Sequence, residues 1–291
     1  MIKPSELIIN PDGTIFHLHL KPEDIADTVI LVGDPGRVEM IAAYFDTIDC
    51  KVQNREFVTI TGYYRGKRLS VVATGIGTDN IDIVVNELDA LVNVDLEKRE
   101  IKSDFKKLKL IRIGTSGSLH AEVPINSFVV SQMSVGFDGM LNFYAGRNDI
   151  SELEFEKAFM QHVQWDQLLA KPYVVKCSSL LFNRITSERT VSGINISAPG
   201  FYGPQGRVIR LPLADDRLNQ KIESFEFAGQ KITNYEMESS AIYGLSRLLG
   251  HEALTICLII ANRATLEANE NYHPYMAELV EYVLDKVSSE D

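Results

Sequence analysis

The sequence predicts an α/β fold: a single-domain α/β/α sandwich over residues 1–291 with a mixed central β-sheet. Three observations point to it. Short β-branched or apolar runs alternate with stretches of helical apolar spacing. Three such runs among the first 120 residues end in glycine-rich turns, at Gly33-Asp34-Pro35-Gly36, Gly75-Ile76-Gly77 and Gly114-Thr115-Ser116-Gly117. No internal repeat, low-complexity tract or Pro/Ser linker divides the chain, and 291 residues at 45% hydrophobic composition suffice for one large core.

Taken in order, Thr28 to Val32 is a β-branched strand, followed by the Gly33 turn and a helix carrying Val38, Ile41, Ala42 and Phe45. Phe57 to Tyr64 and Leu69 to Thr74 form a hairpin about Arg65-Gly66-Lys67-Arg68. A helix with apolar Ile81, Val84, Val85, Leu88 and Leu91 comes next. Asp95 to Lys109 mixes both charge signs with few apolar residues, which predicts a solvated helix extension or a surface loop. Leu108 to Ile113, Ser127 to Met133, Tyr173 to Cys177 and Thr190 to Ser197 are further strands. Helices are expected at Glu152 to Leu169, Asp215 to Phe225 and Ser239 to Leu249, with a closing helix from Tyr275 to Val287. An α/β sheet collects its ligand where strand carboxyl ends meet, so repeated glycine-ended strands place a site there. Glycine lets backbone approach a ligand, and a following helix N-terminus favours an anion.

Charge narrows the function classes. The 40 acidic and 29 basic residues give a formal charge of -11, which argues against nucleic-acid binding yet leaves room for a local arginine pocket. Cys50, Cys177 and Cys257 form no CxxC or Cys/His pattern, so free thiols and no metal site are expected. The apolar run Ala253 to Ala261 is too short to cross a bilayer, and the N-terminal residues carry no secretory apolar core. A soluble cytoplasmic protein, with no membrane partner, is expected.

Two stretches carry chemistry. In Leu110-Ile111-Arg112-Ile113-Gly114 an arginine interrupts an apolar strand. Buried, it needs an anionic partner, either in a structural ion pair or at an anion site, and the adjoining Gly-Thr turn favours the anion site. In Asn234-Tyr235-Glu236-Met237-Glu238-Ser239 two carboxylates at a strand end could share one face and accept bonds from vicinal hydroxyls. The plainer alternative is acids at a helix start, favoured by the helix dipole.

Together with FHLHL from Phe16, VGDPGR from Val32, NREF from Asn54, ATGIGTDN from Ala73, RIGTSG from Arg112, FYGPQGR from Phe201 and IIANR from Ile259, that second stretch resembles the uridine phosphorylases of the nucleoside phosphorylase superfamily. The segments run in the family's order across nearly the whole chain. The resemblance implies reversible phosphorolysis of uridine and related pyrimidine nucleosides to uracil and ribose 1-phosphate, in pyrimidine salvage. Orthophosphate would be co-substrate, with no cofactor. Gly33, Arg37, Arg112 and Thr115 would hold phosphate, with Arg55 from a neighbouring subunit. Glu238, Met237 and Arg112 would orient the ribose, supported by Glu236, and His17 with Phe16 would come from the partner to the 5′-hydroxyl. Ser116 and Gly117 would line the nucleoside site, Phe201 would pack on the base, and Gln205 and Arg207 would read the uracil edge. Catalysis would rest on Arg207, Gln205, Glu238 and Arg112.

A homodimer would then be the smallest active unit, in a homohexamer. Family members can also hold an intersubunit potassium ion, through the position of Glu56 and the glycine turn at Ile76; Asn80 stands here where a serine is usual. Purine-cleaving relatives tend to carry an acid after the last core strand, where this chain reads Ile260-Ala261-Asn262-Arg263. The base segment reads Gly203 and Gly206 where bacterial relatives have Pro-Gly-Gln-Glu spacing, which alters the loop's freedom. Alternatives are a purine-directed phosphorylase, a nucleosidase, or a non-catalytic nucleoside-binding protein. A nicotinamide oxidoreductase would want a GxGxxG turn and a later ribose carboxylate, and both are missing.

Overall fold

The computed structural model describes residues 1–289. Its strands are β1 (Thr28–Val32), β2 (Thr47–Asn54), β3 (Phe57–Tyr64), β4 (Lys67–Ala73), β5 (Val94–Asp95), β6 (Glu100–Ile101), β7 (Lys109–Ser118), β8 (Phe128–Gly136), β9 (Tyr173–Lys176), β10 (Thr190–Ser197), β11 (Glu226–Phe227), β12 (Gln230–Glu236), β13 (Glu252–Asn262) and β14 (Glu267–Ala268). The helices are α1 (Pro35–Ala42), α2 (Thr78–Asn93), α3 (Arg147–Ile150), α4 (Leu153–Val163), α5 (Ser179–Ile185), α6 (Leu218–Glu223), α7 (Ser239–Leu249) and α8 (His273–Ser288).

A mixed sheet forms the centre, in the order β11-β12-β10-β8-β13-β7-β1-β4-β3-β2. Strands β4, β1, β7 and β13 run parallel, while β2 and β3 continue the edge antiparallel. Successive β1 side chains point to opposite faces, as strand geometry requires. Ile30 and Val32 pack with α1, α5 and α8 through Ile41, Leu181 and Val283. Val29 and Leu31 pack with α2 and α7 through Leu88 and Ile242. That gives the expected three layers. A separate cluster of Phe155, Phe159, Ile194 and Ile222 seats α4 and α6 beside β10.

The sheet also curls. The end of β7 pairs antiparallel with β12, Asn234 opposite Ser118 and Tyr235 opposite Gly117, while β12 pairs parallel with β10 on its other side. Strands β12, β10, β8, β13 and β7 therefore close on one another. Closure corrects one expectation: Gly114 to Gly117 is not a turn but the continuation of β7, paired with β13 as far as Asn262 opposite Ser118. Glycine serves close packing there. A Cβ on Gly114 would lie 3.0 Å from Cys257 Sγ and on top of the Arg112 guanidinium.

Other differences are local. The expected helix over 152–169 stops at Val163, where Gln164 takes a left-handed conformation with φ 55° and caps it. The helix expected over 215–225 shrinks to Leu218–Glu223, because Asp215 accepts from the Arg217 N–H and the Lys221 ammonium in the preceding turn. Strand β2 was not apparent in sequence, since it is an exposed edge with charges at alternate positions. The charged stretch from Asp95 carries the small β5–β6 hairpin, and its tip is exposed.

Arg147 and Glu156 make a buried pair: Arg147 Nη1 donates to both Glu156 oxygens at 2.8 and 2.9 Å, and Oε1 also accepts from the Val174 N–H. Glu156→Ala strands a buried guanidinium and should cost about 3–5 kcal/mol in urea unfolding. A loss under ~1 kcal/mol, the range of a surface pair, would show that water reaches the site.

Candidate active site

Closure of β12 onto β7 brings Arg112 against the two carboxylates. Arg112 is 5% exposed, and Glu236 and Glu238 are 3% and 2% exposed. Its Nη2 donates to Glu238 Oε2, and Nη1 lies 3.5 Å from Glu236 Oε2 and 3.6 Å from Cys257 Sγ. The ion-pair alternative for Arg112 is thus realised within the chain, while its buried Nε has no hydrogen-bond partner. Burial disfavours the Arg112 charge, but Glu238 and Glu236 outweigh it and hold the pKa above the ordinary arginine value. Burial, reinforced by Glu236, raises the Glu238 pKa against the pull of Arg112.

The two acids differ in position and role. Glu236 ends β12 and accepts the Glu238 and Ser239 N–H groups, at 2.9 Å and at 3.0 and 3.1 Å, so it caps the first turn of α7. Glu238 lies beyond the strand, at the N-cap of α7, and its Oε1 accepts the Gly77 N–H at 2.8 Å. The shared strand face expected for the two does not exist; they meet at Arg112 because the chain turns at half-buried Met237.

Arg37 comes in from the first turn of α1, buried, with Nη1 donating to the Ile113 carbonyl at 3.3 Å. Among the described residues it makes no ion pair. Burial and then the Arg112 charge lower its pKa. Two neighbouring guanidiniums, one lacking a carboxylate, constitute a site that an oxyanion would complete. Gly33 follows the end of β1, and half-buried Thr115 lies within β7, three residues beyond Arg112.

A third group lies at the far ends of β12 and β13. Exposed Phe201 carries the Arg207 guanidinium 3.8 Å above its ring, and Arg207 Nη1 donates to the Phe201 carbonyl and to Gln205 Oε1, both at 2.6 Å. Arg263 donates to the Gln205 backbone carbonyl and, from Nη2 at 3.2 Å, to the same Oε1. Two guanidinium donors on Oε1 fix the amide orientation and leave Gln205 Nε2 as a donor. Tyr235 lies beneath Arg263 at 4.8 Å and holds Asn219, whose amide also supports Gln205. Burial, then the Arg263 charge, pushes Arg207 down to about 10, so it stays cationic at neutral pH. Ser116 accepts from Asn234 on β12, beside buried Gly117.

Phe16, His17 and Arg55 lie elsewhere. His17 Nδ1 meets Glu87 Oε1 at 2.6 Å, Asn54 donates to the His17 carbonyl, and exposed Arg55 sits 5.4 Å over the Phe16 ring at φ 54°. Among the described residues, no hydrogen bond or ion pair joins this patch to Arg112, Glu238 or Arg207. Sequence reasoning missed Arg263, Gly77, Asn219 and Glu87. Arg263 carried a signal, a second arginine ending an apolar strand; the others hold their places through distant partners.

The phosphorylase superfamily pattern matches residues 27–289. The chain is 28% identical over 264 residues to a uridine phosphorylase of Thermococcus kodakarensis, covering 88% of this chain and 80% of that one. It is 29% identical over 262 residues to a DeoD-type purine nucleoside phosphorylase of Alkaliphilus metalliredigens, covering 88% and 93%. In structure it is similar to a Trypanosoma brucei nucleoside phosphorylase described as showing uridine phosphorylase activity, with TM-score 0.83, 28% identity, and 98% and 100% of the two chains covered.

Glu238→Ala should leave Arg112 short of its nearest counter-charge and lower stability by about 3 kcal/mol without ligand. Saturating orthophosphate should then raise the melting temperature of the variant more than that of the wild type, since the anion re-pairs both arginines. Equal increments would place the anion elsewhere.

Proposed function

We propose that this chain, which belongs to the phosphorylase superfamily, cleaves uridine and related pyrimidine nucleosides with orthophosphate, giving uracil and ribose 1-phosphate. The cluster of Gln205, Arg207 and Arg263 carries the choice of base. It offers N–H donors, and no carboxylate pairs with either arginine among the described residues. Uracil leaves as an anion whose charge spreads over ring oxygens, and such donors stabilise it; a purine would instead call for an acid at its imidazole ring. The comparable similarity to purine nucleoside phosphorylases keeps purine cleavage as the second reading.

In the proposed reaction Arg37 and Arg112, with Thr115 and the Gly33 backbone, hold phosphate under the sugar. Glu238 accepts the ribose hydroxyls and Met237 packs beneath them, while Glu236 holds the turn that aims both. The C1′–N1 bond breaks with its electron pair passing to the base, positive charge grows on the sugar, and a phosphate oxygen bonds to C1′. The released pyrimidine takes a proton from solvent. No covalent intermediate with the protein is needed; placement and preorganised charge do the work.

His17 and Arg55 have no part in their own chain's cleft, which supports their serving the cleft of a second copy, His17 at the 5′-hydroxyl and Arg55 at the phosphate. A homodimer is then the smallest active unit, and a ring of three dimers is the proposed assembly. An intersubunit potassium ion would take oxygen ligands from Glu56 of each copy and from the glycine turn at Ile76. A cytoplasmic role in pyrimidine salvage follows from the proposed substrate.

Arg207→Ala should lower kcat about 10²–10³-fold on uridine, the usual effect of removing a donor that faces developing negative charge. The direct check is initial rates on uridine, thymidine, 2′-deoxyuridine and inosine, with and without phosphate. Preferred turnover of inosine would overturn the pyrimidine assignment, and turnover without phosphate would make the enzyme a nucleosidase.

A further inference from the structure

We infer that Asp138, Tyr173, Ser240 and Ser197 are positioning residues for the sugar side of the cleft, a buried hydrogen-bonded set that locks the first turn of α7 and thereby aims Glu236 and Glu238. Asp138 lies two residues past the end of β8. Its Oδ1 accepts from the Met140 N–H at 2.8 Å and the Tyr173 hydroxyl at 3.0 Å, and its Oδ2 accepts from Ser240 Oγ at 3.2 Å. The Tyr173 hydroxyl is also 3.0 Å from Ser240 Oγ. The Ser240 N–H donates to Ser197 Oγ at 2.9 Å, and Ser197 Oγ donates to Glu236 Oε1, with Ser134 Oγ 3.1 Å away.

Three features make this more than packing. Tyr173, Ser197 and Ser240 are wholly enclosed, where apolar residues would pack without polar atoms to satisfy. Gly136 clears the space in which they meet, since a Cβ there would come within 2.4 Å of Tyr173 Cζ and 2.8 Å of Ser240 Oγ. Lastly, the set ends on the carboxylate that caps α7 and faces Arg112, and Glu238 occupies the N-cap of that same helix. The link between Ser240 and Ser197 passes through a backbone N–H, which does not give up its proton. The set therefore fixes geometry and carries no proton. Asp138, beside the N-terminus of an eleven-residue helix, also favours that end electrostatically.

The proposal rests on the assignment of Glu238 to the ribose hydroxyls, with Glu236 holding the turn, and the test separates the two. The kcat/KM values for uridine and 2′-deoxyuridine, or for inosine and 2′-deoxyinosine should purines be cleaved, are measured for wild type, Tyr173→Phe, Asp138→Asn, Asp138→Ala and Glu238→Gln. Circular dichroism checks that each variant is folded, and Tyr173→Phe carries the test if Asp138→Ala does not fold. Tyr173→Phe should lower the riboside to 2′-deoxyriboside ratio about fivefold and Asp138→Ala roughly tenfold or more, with Asp138→Asn between them, as expected for losing one neutral or one charged hydrogen bond. The KM for phosphate should stay near the wild-type value. Equal losses on both nucleosides, however large, would make the set structural support only and overturn the proposal. A Glu238→Gln variant with an unchanged ratio would instead sink the ribose assignment itself.

Discussion

A guanidinium cannot be buried without counter-charge, and Arg112 is enclosed on β7 in the middle of the sheet. Everything about the cleft follows from how that demand is met. No acid adjoins it in sequence; the carboxylates arrive from Glu236 and Glu238, more than a hundred residues on. They reach it because β7 continues past Ile113 and pairs with β12, closing five strands on one another. Fold closure and site assembly are the same event.

The resulting cleft is graded in charge. At the α1 end Arg37 adds a second cation and, among the described residues, pairs with no carboxylate, so that end suits an oxyanion. In the middle Glu236 is occupied by the N–H groups of the α7 turn, Ser197 and Arg112, while Glu238, with one donor on each oxygen, keeps lone pairs suited to hydroxyl donors. At the β13 end Arg207 and Arg263 converge on Gln205; burial, and then the Arg263 charge, eases loss of the Arg207 proton, and two adjacent cations leave little tolerance for a third. Such a sequence of acceptors and donors is the order in which the proposed reaction would need phosphate, sugar and base. In the proposed reaction phosphate would have to compete with Glu238 for Arg112, so the carboxylates would keep the arginine pair from binding any anion indiscriminately.

Much of this was legible beforehand. The β-branched run of β1 and the helical spacing of α1, α2, α7 and α8 announced an α/β fold, because strand and helix periods differ and each leaves its mark in apolar spacing. Arg112 announced itself as a charge inside an apolar strand. Edge strand β2 was hidden, since an exposed strand has no apolar face to display. In sequence, Gly114 to Gly117 reads as a turn for a physical reason: glycine marks sharp turns and close approaches alike, and only the packed guanidinium of Arg112 shows which applies. Arg263 stood in plain view as the residue where an acid was missing, yet its bond to Gln205 joins residues 58 positions apart.

By itself, then, the sequence determined which segments become strands and helices, which residues carry charge into apolar surroundings, and the order in which the motifs occur. Those are local properties, set by periodicity and side-chain chemistry. The tertiary structure alone decided that Glu236 and Glu238 serve different ends, one capping α7 and one pairing with Arg112, that Gln205 presents its amide N–H, and that His17 and Arg55 lie apart from their own cleft. Each of those depends on contacts between distant parts of the chain, which strand pairing and burial select and no local pattern encodes.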